Sequence, residues 1–144
     1  MHAYEKPSKP RNGRRWVVLI VARISTVNQD RESLNDQVAL CKREAHKLFG
    51  DNVEYIVITS QVSGEYLDRE ELVQLEAHLE SRKLDAVVVE DLGRICRRGR
   101  AVDFCELAED NDTRLVSIND HIDTFDASWR NHAFFATMHH EISN

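Results

Sequence analysis

The run WVVLIVAR at residues 16–23 constrains this chain most. From Val17 to Ala22 no side chain is polar, so a strand built from it cannot turn either face to water. It must lie inside a sheet covered above and below. The run ends on Arg23, with Ser25 two positions on. A strand buried on both faces that delivers a guanidinium and a hydroxyl at its end offers them to something outside the core.

The same pattern returns at Asn52 to Thr59 and at Asp85 to Glu90 (DAVVVE), and more weakly at Arg114 to Asn119 (RLVSIN). Helical spacing fills the gaps. Leu34, Val38, Cys41, Ala45 and Leu48 recur on one face and stop at Gly50, and DREELVQLEAHLESRK opens with Asp68 as N-cap and Glu71 as its capping-box partner. Ala101 to Glu109 and Ala127 to Ile142 supply two more helices. The alternation predicts an α/β fold: a mainly parallel central sheet of four or five strands, helices on both faces, and a longer C-terminal helix.

With 144 residues, the chain fits one globular domain with a real core. Residues 1–15 hold Lys6, Lys9, Arg11, Arg14 and Arg15 against Glu5, and both prolines of the sequence. They read as a flexible basic arm ahead of a domain at 16–144. The remaining body has 14 basic against 24 acidic residues, a formal charge of −10. Such a body is no general nucleic-acid binder, because that affinity comes from neutralising phosphates with Lys and Arg. No apolar run approaches the roughly 20 residues of a membrane span. Cys41, Cys96 and Cys105 form no CxxC pair, which suits a reducing, cytoplasmic setting.

In parallel sheets ligands gather beyond the carboxyl ends of the strands. Three loops leave those ends: ARISTVNQ, SQVSGEYLDRE and DLGRICRRGR. They bring Ser25, Ser63 and the arginines 23, 69, 94, 97, 98 and 100 toward one edge. Guanidiniums match phosphoryl oxygens in fork geometry and stay charged, so the set reads as a hydroxyl nucleophile inside a phosphate site. Taken singly, each piece is ordinary: a serine after a strand caps a turn, and RRGR is a solvated loop. The HHE at 139–141 is not read as a metal site, because adjacent histidines face different sides of a helix and no third ligand stands at zinc spacing. A flavodoxin-like phosphate module should carry a glycine-rich loop, and a phosphorelay receiver should carry aspartates where Arg23 and Ser25 stand; neither pattern is present.

The ordered motifs ARIST, SLNDQ, VSG with Arg69, and the DAVVVE segment with Arg94 and Arg97 resemble the N-terminal catalytic domain of the serine recombinases, the resolvase and invertase family, over Trp16 to Glu141. The resemblance implies a resolvase-like fold and an enzyme that cuts and rejoins DNA at a specific site by transesterification, with no metal or other cofactor. It implies Ser25 as the nucleophile forming a 5′-phosphoserine bond, with Arg23, Arg69, Arg94 and Arg97 on the phosphate and Ser63, Gln37 and Glu141 in support. Its partners would be double-stranded DNA and further copies of the chain, a homodimer that becomes a tetramer during strand exchange. A separate DNA-binding part would lie beyond the long helix, which is expected to be truncated at Asn144.

The chain departs from the family pattern at Val21, where a tyrosine is common, at Ser60 and Gly93, where aspartates are usual, and at Ile142, where an arginine is frequent. These departures support an alternative: a recombinase-derived assembly or regulatory module that oligomerises but cuts DNA poorly. In the terminal segment, Asp126 is expected as an N-cap and Phe134, Met138 and Ile142 form one apolar stripe suited to a partner helix.

Overall fold

The computed structural model describes residues 7–23, 31–60, 69–96 and 100–134, with the side chains of 31–33 left aside. Strand β1 (Trp16–Arg23) leads to helix α1 (Arg31–Phe49), β2 (Val53–Ser60), α2 (Arg69–Glu80), β3 (Ala86–Val89), a 3-10 turn (Leu92–Arg94), α3 (Ala101–Asp110), β4 (Arg114–Ser117) and β5 (Ile122–Asp123). Residues 129–134 are again helical. The sheet order is β2-β1-β3-β4-β5, parallel except where β5 returns antiparallel to β4. The mainly parallel α/β sheet read from the sequence is therefore the one observed, and the two-residue β5 is its fifth strand.

Strand β1 lies at the centre, and Val18 to Ala22 are fully buried. Its alternate residues feed two cores. Val17, Leu19 and Val21 pack with Leu75 and Leu79 of α2, Phe104, Cys105 and Ala108 of α3, and Trp129 and Ala133. Val18 and Ile20 pack on the opposite face against Cys41 and Ala45 of α1. Helices thus cover both faces, with α1 the only helix on one of them among the described residues. The strand period of two carries Arg23 onto the α2/α3 face.

The ends of the elements follow local chemistry. Helix α1 stops because Gly50 adopts φ +82°, and its N–H closes onto the His46 carbonyl at 2.8 Å. Asp126 accepts from both the backbone N–H and the hydroxyl of Ser128 at 2.9 Å, ahead of the helical residues 129–134. Asp68, expected to cap α2, and the rest of the expected helix to Ile142 lie outside the described residues.

Before β1 the chain is fastened at the amino edge of the sheet. Arg11 donates from its backbone N–H to Asp85 at 3.0 Å, and from its guanidinium to the carbonyls of Leu84 at 2.9 Å and Asn111 at 3.1 Å. Arg15 donates to the Val53 carbonyl at 2.7 Å. Two residues that composition assigns to a basic arm thereby close the open end of the sheet. Among the described residues no helix is long and apolar enough to cross a membrane.

Candidate active site

Strand order turns around β1: the first crossover leads to β2 on one side, and the later ones lead to β3 and β4 on the other. The carboxyl ends of β1 and β3 therefore flank a topological switch point, where open α/β sheets form their ligand crevice. The pairing explains why this place is polar. β1 follows β2 as far as Arg23 opposite Ser60, but follows β3 only as far as Val21 opposite Val89. Beyond that point side chains replace the missing ladder.

Gln37, buried on α1, supplies most of the replacement. Its Oε1 accepts the Arg23 N–H at 3.0 Å, and its Nε2 donates to the Arg23 carbonyl at 2.8 Å. Arg94 Nη1 donates to the same carbonyl at 3.0 Å. Arg94 Nη2 meets Glu90 Oε1 at 3.0 Å, and its Nε lies 3.7 Å from Asp91 Oδ2. The 3-10 turn that carries Arg94 is pinned in its turn, because Asp120 Oδ2 accepts the Leu92 N–H at 2.9 Å and the Ser117 hydroxyl at 2.7 Å. Arg23, Gln37 and Arg94 are thus one hydrogen-bonded unit. The Arg23 residue itself is 1% exposed.

Arg69 opens α2 as an exposed residue and makes no bond to that unit among the described residues. Arg100 is exposed at the N-cap of α3. Ser25, Ser63, Arg97, Arg98 and Glu141 lie outside the described residues, as does the HHE segment. Ser60 is buried in register with Arg23, and its Oγ makes no hydrogen bond among the described residues. Asp120 was not singled out from sequence. Nothing in RLVSIND marks that aspartate as reaching back across the sheet edge to Leu92.

Beside the unit opens a cleft of about 420 Å³ lined by Asp36, Gln37, Arg43, Glu90 and Arg94 among others. Among the residues named, two acidic side chains, Asp36 and Glu90, stand against two basic ones, Arg43 and Arg94. The cysteines are not competing nucleophiles. Burial pushes the thiols of Cys41, Cys96 and Cys105 each up to about 12, with Glu90 and Glu44 adding to the shift at Cys41. At neutral pH they are protonated and inert.

The family model described as Resolvase, N terminal domain, matches residues 18–144. The chain belongs to that family. The resemblance carried by the motifs is borne out, and solved structures of serine recombinases share the fold. The N-terminal catalytic domain of TP901-1 integrase is 24% identical, covers 88% of this chain and 96% of its own, and superposes with a TM-score of 0.68. A resolvase family site-specific recombinase from Streptococcus pneumoniae is 18% identical over 90% of this chain and 88% of its own, TM-score 0.62. The C-terminal catalytic domain of ISC1926 TnpA, an IS607-like serine recombinase, is 23% identical over 71% of this chain and 67% of its own, TM-score 0.59. No curated protein matches. Within the resolvase family match, the switch-point cluster falls between residues 23 and 94, while Arg11 and Arg15 precede the matched region.

Proposed function

We propose that this chain is the catalytic domain of a site-specific serine recombinase that cuts and rejoins double-stranded DNA through a covalent bond to Ser25. The observation that carries the reading is the binding of Arg23 and Arg94 into one unit at the switch point, two residues ahead of that serine. In the reaction, Ser25 Oγ loses its proton and attacks a backbone phosphorus. The bond to the 3′ oxygen breaks, that oxygen leaves as a hydroxyl, and the 5′ phosphate remains esterified to the serine. Attack by another 3′-hydroxyl reverses the step and rejoins the strand. One phosphoester replaces another throughout, so bond energy is conserved.

Charge builds on the non-bridging oxygens as phosphorus becomes five-coordinate, and fixed guanidiniums lower that barrier. Arg94 suits the task. Of its five N–H donors, two bond protein oxygens and the Nε faces Asp91, which leaves one on each terminal nitrogen for a phosphate. Arg69 and Arg97 complete the set, with Ser63 and Glu141 in support. The working assembly is a homodimer that pairs into a tetramer for strand exchange, consistent with an exposed Phe134 on the helix whose Trp129 and Ala133 face the core.

The test is incubation of the chain, fused to a sequence-specific DNA-binding module that supplies the site binding its acidic body lacks, in chelator, with a pool of nicked duplexes carrying two sites for that module around a randomised core, followed by denaturing gels and mass mapping of any protein–DNA adduct. A phosphodiester on Ser25 that disappears in Ser25→Ala is expected. An adduct that survives Ser25→Ala, or one that requires magnesium, overturns the assignment. Assembly with no adduct from any sequence favours the non-cutting module instead.

A further inference from the structure

The residue just ahead of Arg94 is Gly93, so the carboxylate that steers this arginine must come from elsewhere. Two are at hand, and their geometries differ. Glu90 meets Nη2 at 3.0 Å, a charge-assisted hydrogen bond, whereas Asp91 stands 3.7 Å from Nε, too far for one. Glu90 is also anchored at the sheet edge. It follows β3 directly, its own carbonyl accepts the Asn119 N–H at 2.8 Å, and the carbonyl of Val89 before it accepts from Ile118 at 3.0 Å. A side chain rooted in the sheet edge aims its charge with little freedom. The ion pair is partly withdrawn from solvent, with side chains 28% and 20% exposed, which sets it apart from surface pairs of negligible worth.

Glycine at 93 belongs to the same arrangement. A Cβ there would stand 2.8 Å from Asp91 Oδ1, so any side chain at 93 displaces the Asp91 carboxylate from the position it holds beside Arg94. We propose that Glu90 is the positioning residue that holds Arg94 in register with the Arg23 carbonyl and so aims its remaining donors at the phosphate, with Asp91 adding charge through the space that Gly93 leaves open. This rests on the recombinase reading above and deepens it.

Glu90→Gln separates positioning from simple electrostatics. By its charge alone, removing a carboxylate beside Arg94 favours binding of a polyanion. A bystander carboxylate therefore gives tighter DNA binding and equal or faster chemistry. A positioning carboxylate gives slower chemistry despite undiminished binding. In single-turnover adduct formation on the nicked duplex pool, the saturating rate of Glu90→Gln is expected to fall about tenfold or more, while the half-saturating DNA concentration stays level or falls. A saturating rate equal to or above wild type overturns the proposal.

The second readout needs no chemistry. In nitrogen-15 NMR of the DNA-free chain, rotation about the Arg94 Nε–Cζ bond is expected to be slow in wild type and fast in Glu90→Gln. Equal rotation in both also overturns the proposal. If wild type forms no adduct, the recombinase reading fails by itself, and the rotation result still decides whether Glu90 holds Arg94.

Discussion

Gln37 grips Arg23 by both of its main-chain groups, accepting the N–H at 3.0 Å and donating to the carbonyl at 2.8 Å. A primary amide has one acceptor and one donor face side by side, so it copies the edge of a neighbouring strand at the point where β3 has stopped pairing. Gln37→Ala removes both of these bonds from the main chain of the buried Arg23. Because the Arg23 carbonyl keeps its bond from Arg94, the cost is that of about one buried polar group, and a loss of about 1–3 kcal/mol is expected, measured by urea unfolding. Gln37→Glu keeps the acceptor but sets an oxygen against the Arg23 carbonyl, and is expected to recover only part of the loss.

The amino edge of the sheet makes a parallel case. Asp85 is buried, and its two oxygens accept the backbone N–H groups of Arg11 at 3.0 Å and Val17 at 2.8 Å. Asp85→Asn keeps one acceptor and turns an NH2 toward the other N–H. A cost of about 1–3 kcal/mol is expected, together with faster tryptic cleavage after Arg11 and Arg14 as the segment loosens. Arg11→Ala is expected to speed cleavage after Arg14 with a smaller loss of stability, because it removes only the guanidinium bonds and both main-chain N–H groups keep Asp85 as acceptor. Unchanged proteolysis in both variants would count against the clasp.

Much of this was legible in the sequence, and what was not has a common cause. The central strand could be read because burial on both faces forbids polar residues along it, and α1 because its apolar spacing ends at a glycine. Strand β5 could not be read: two residues carry no periodicity, and its pairing depends on β4 being beside it. The arginines of the site were recognisable by type and loop. Gln37 was expected in support, but the bonds themselves were not legible, since Gln37 reaches the Arg23 main chain from a different element and Glu90 reaches Arg94 only because a 3-10 turn folds back. The clasp of Arg11 was hidden for the reverse reason. Its segment has the composition of a solvated arm, and only the exposed carbonyls at the sheet edge give that charge a place.

The three thiols give the alkaline limb of stability a definite sign. Burial raises each from 9.0 to about 12, so above pH 9 the unfolded chain releases protons that the folded chain retains. Their contribution is fully present below pH 9 and is lost as the pH rises toward 12. Unfolding free energy should therefore decline across that window, and less steeply after Cys41→Ala, Cys96→Ala or Cys105→Ala. At pH 8 the native chain is expected to resist iodoacetamide, with all three thiols reacting once urea unfolds it.

The terminal helix separates a core face from an outward one. Trp129 is 3% exposed and Phe134 is 59% exposed. Trp129→Ala is expected to cost about 3–5 kcal/mol as a large buried side chain. Phe134→Ser should stay within about 0.5 kcal/mol while weakening self-association. Met138→Asp and Ile142→Asp, further along the same sequence stripe, are expected to act in the same direction. Sedimentation velocity at high protein concentration checks this, and a strict monomer in wild type would move the interface elsewhere.

Restoring the two aspartates usual in the family tests whether the site has lost a function or rearranged it. The two positions differ physically. Ser60 lies opposite Arg23 on adjacent strands, buried, with its hydroxyl making no hydrogen bond among the described residues. An aspartate there brings a carboxylate beside a buried guanidinium, and Ser60→Asp is expected to fold and to leave adduct formation equal or raised. At Gly93 a new side chain meets Asp91 Oδ1 at 2.8 Å. That atom is the end of a side chain and can swing aside at small cost, so Gly93→Asp exchanges one carboxylate near Arg94 for another instead of adding one. Unfolding stability should change by less than about 1 kcal/mol, and single-turnover cleavage should not improve while Glu90 keeps its bond to Nη2. In a Glu90→Gln background the same substitution has a vacant role to fill, and there it is expected to restore part of the lost rate. If Gly93→Asp instead raises cleavage sharply in the otherwise unaltered chain, then Glu90 and Asp91 do not supply what Arg94 needs, and the assembly-module alternative gains the advantage.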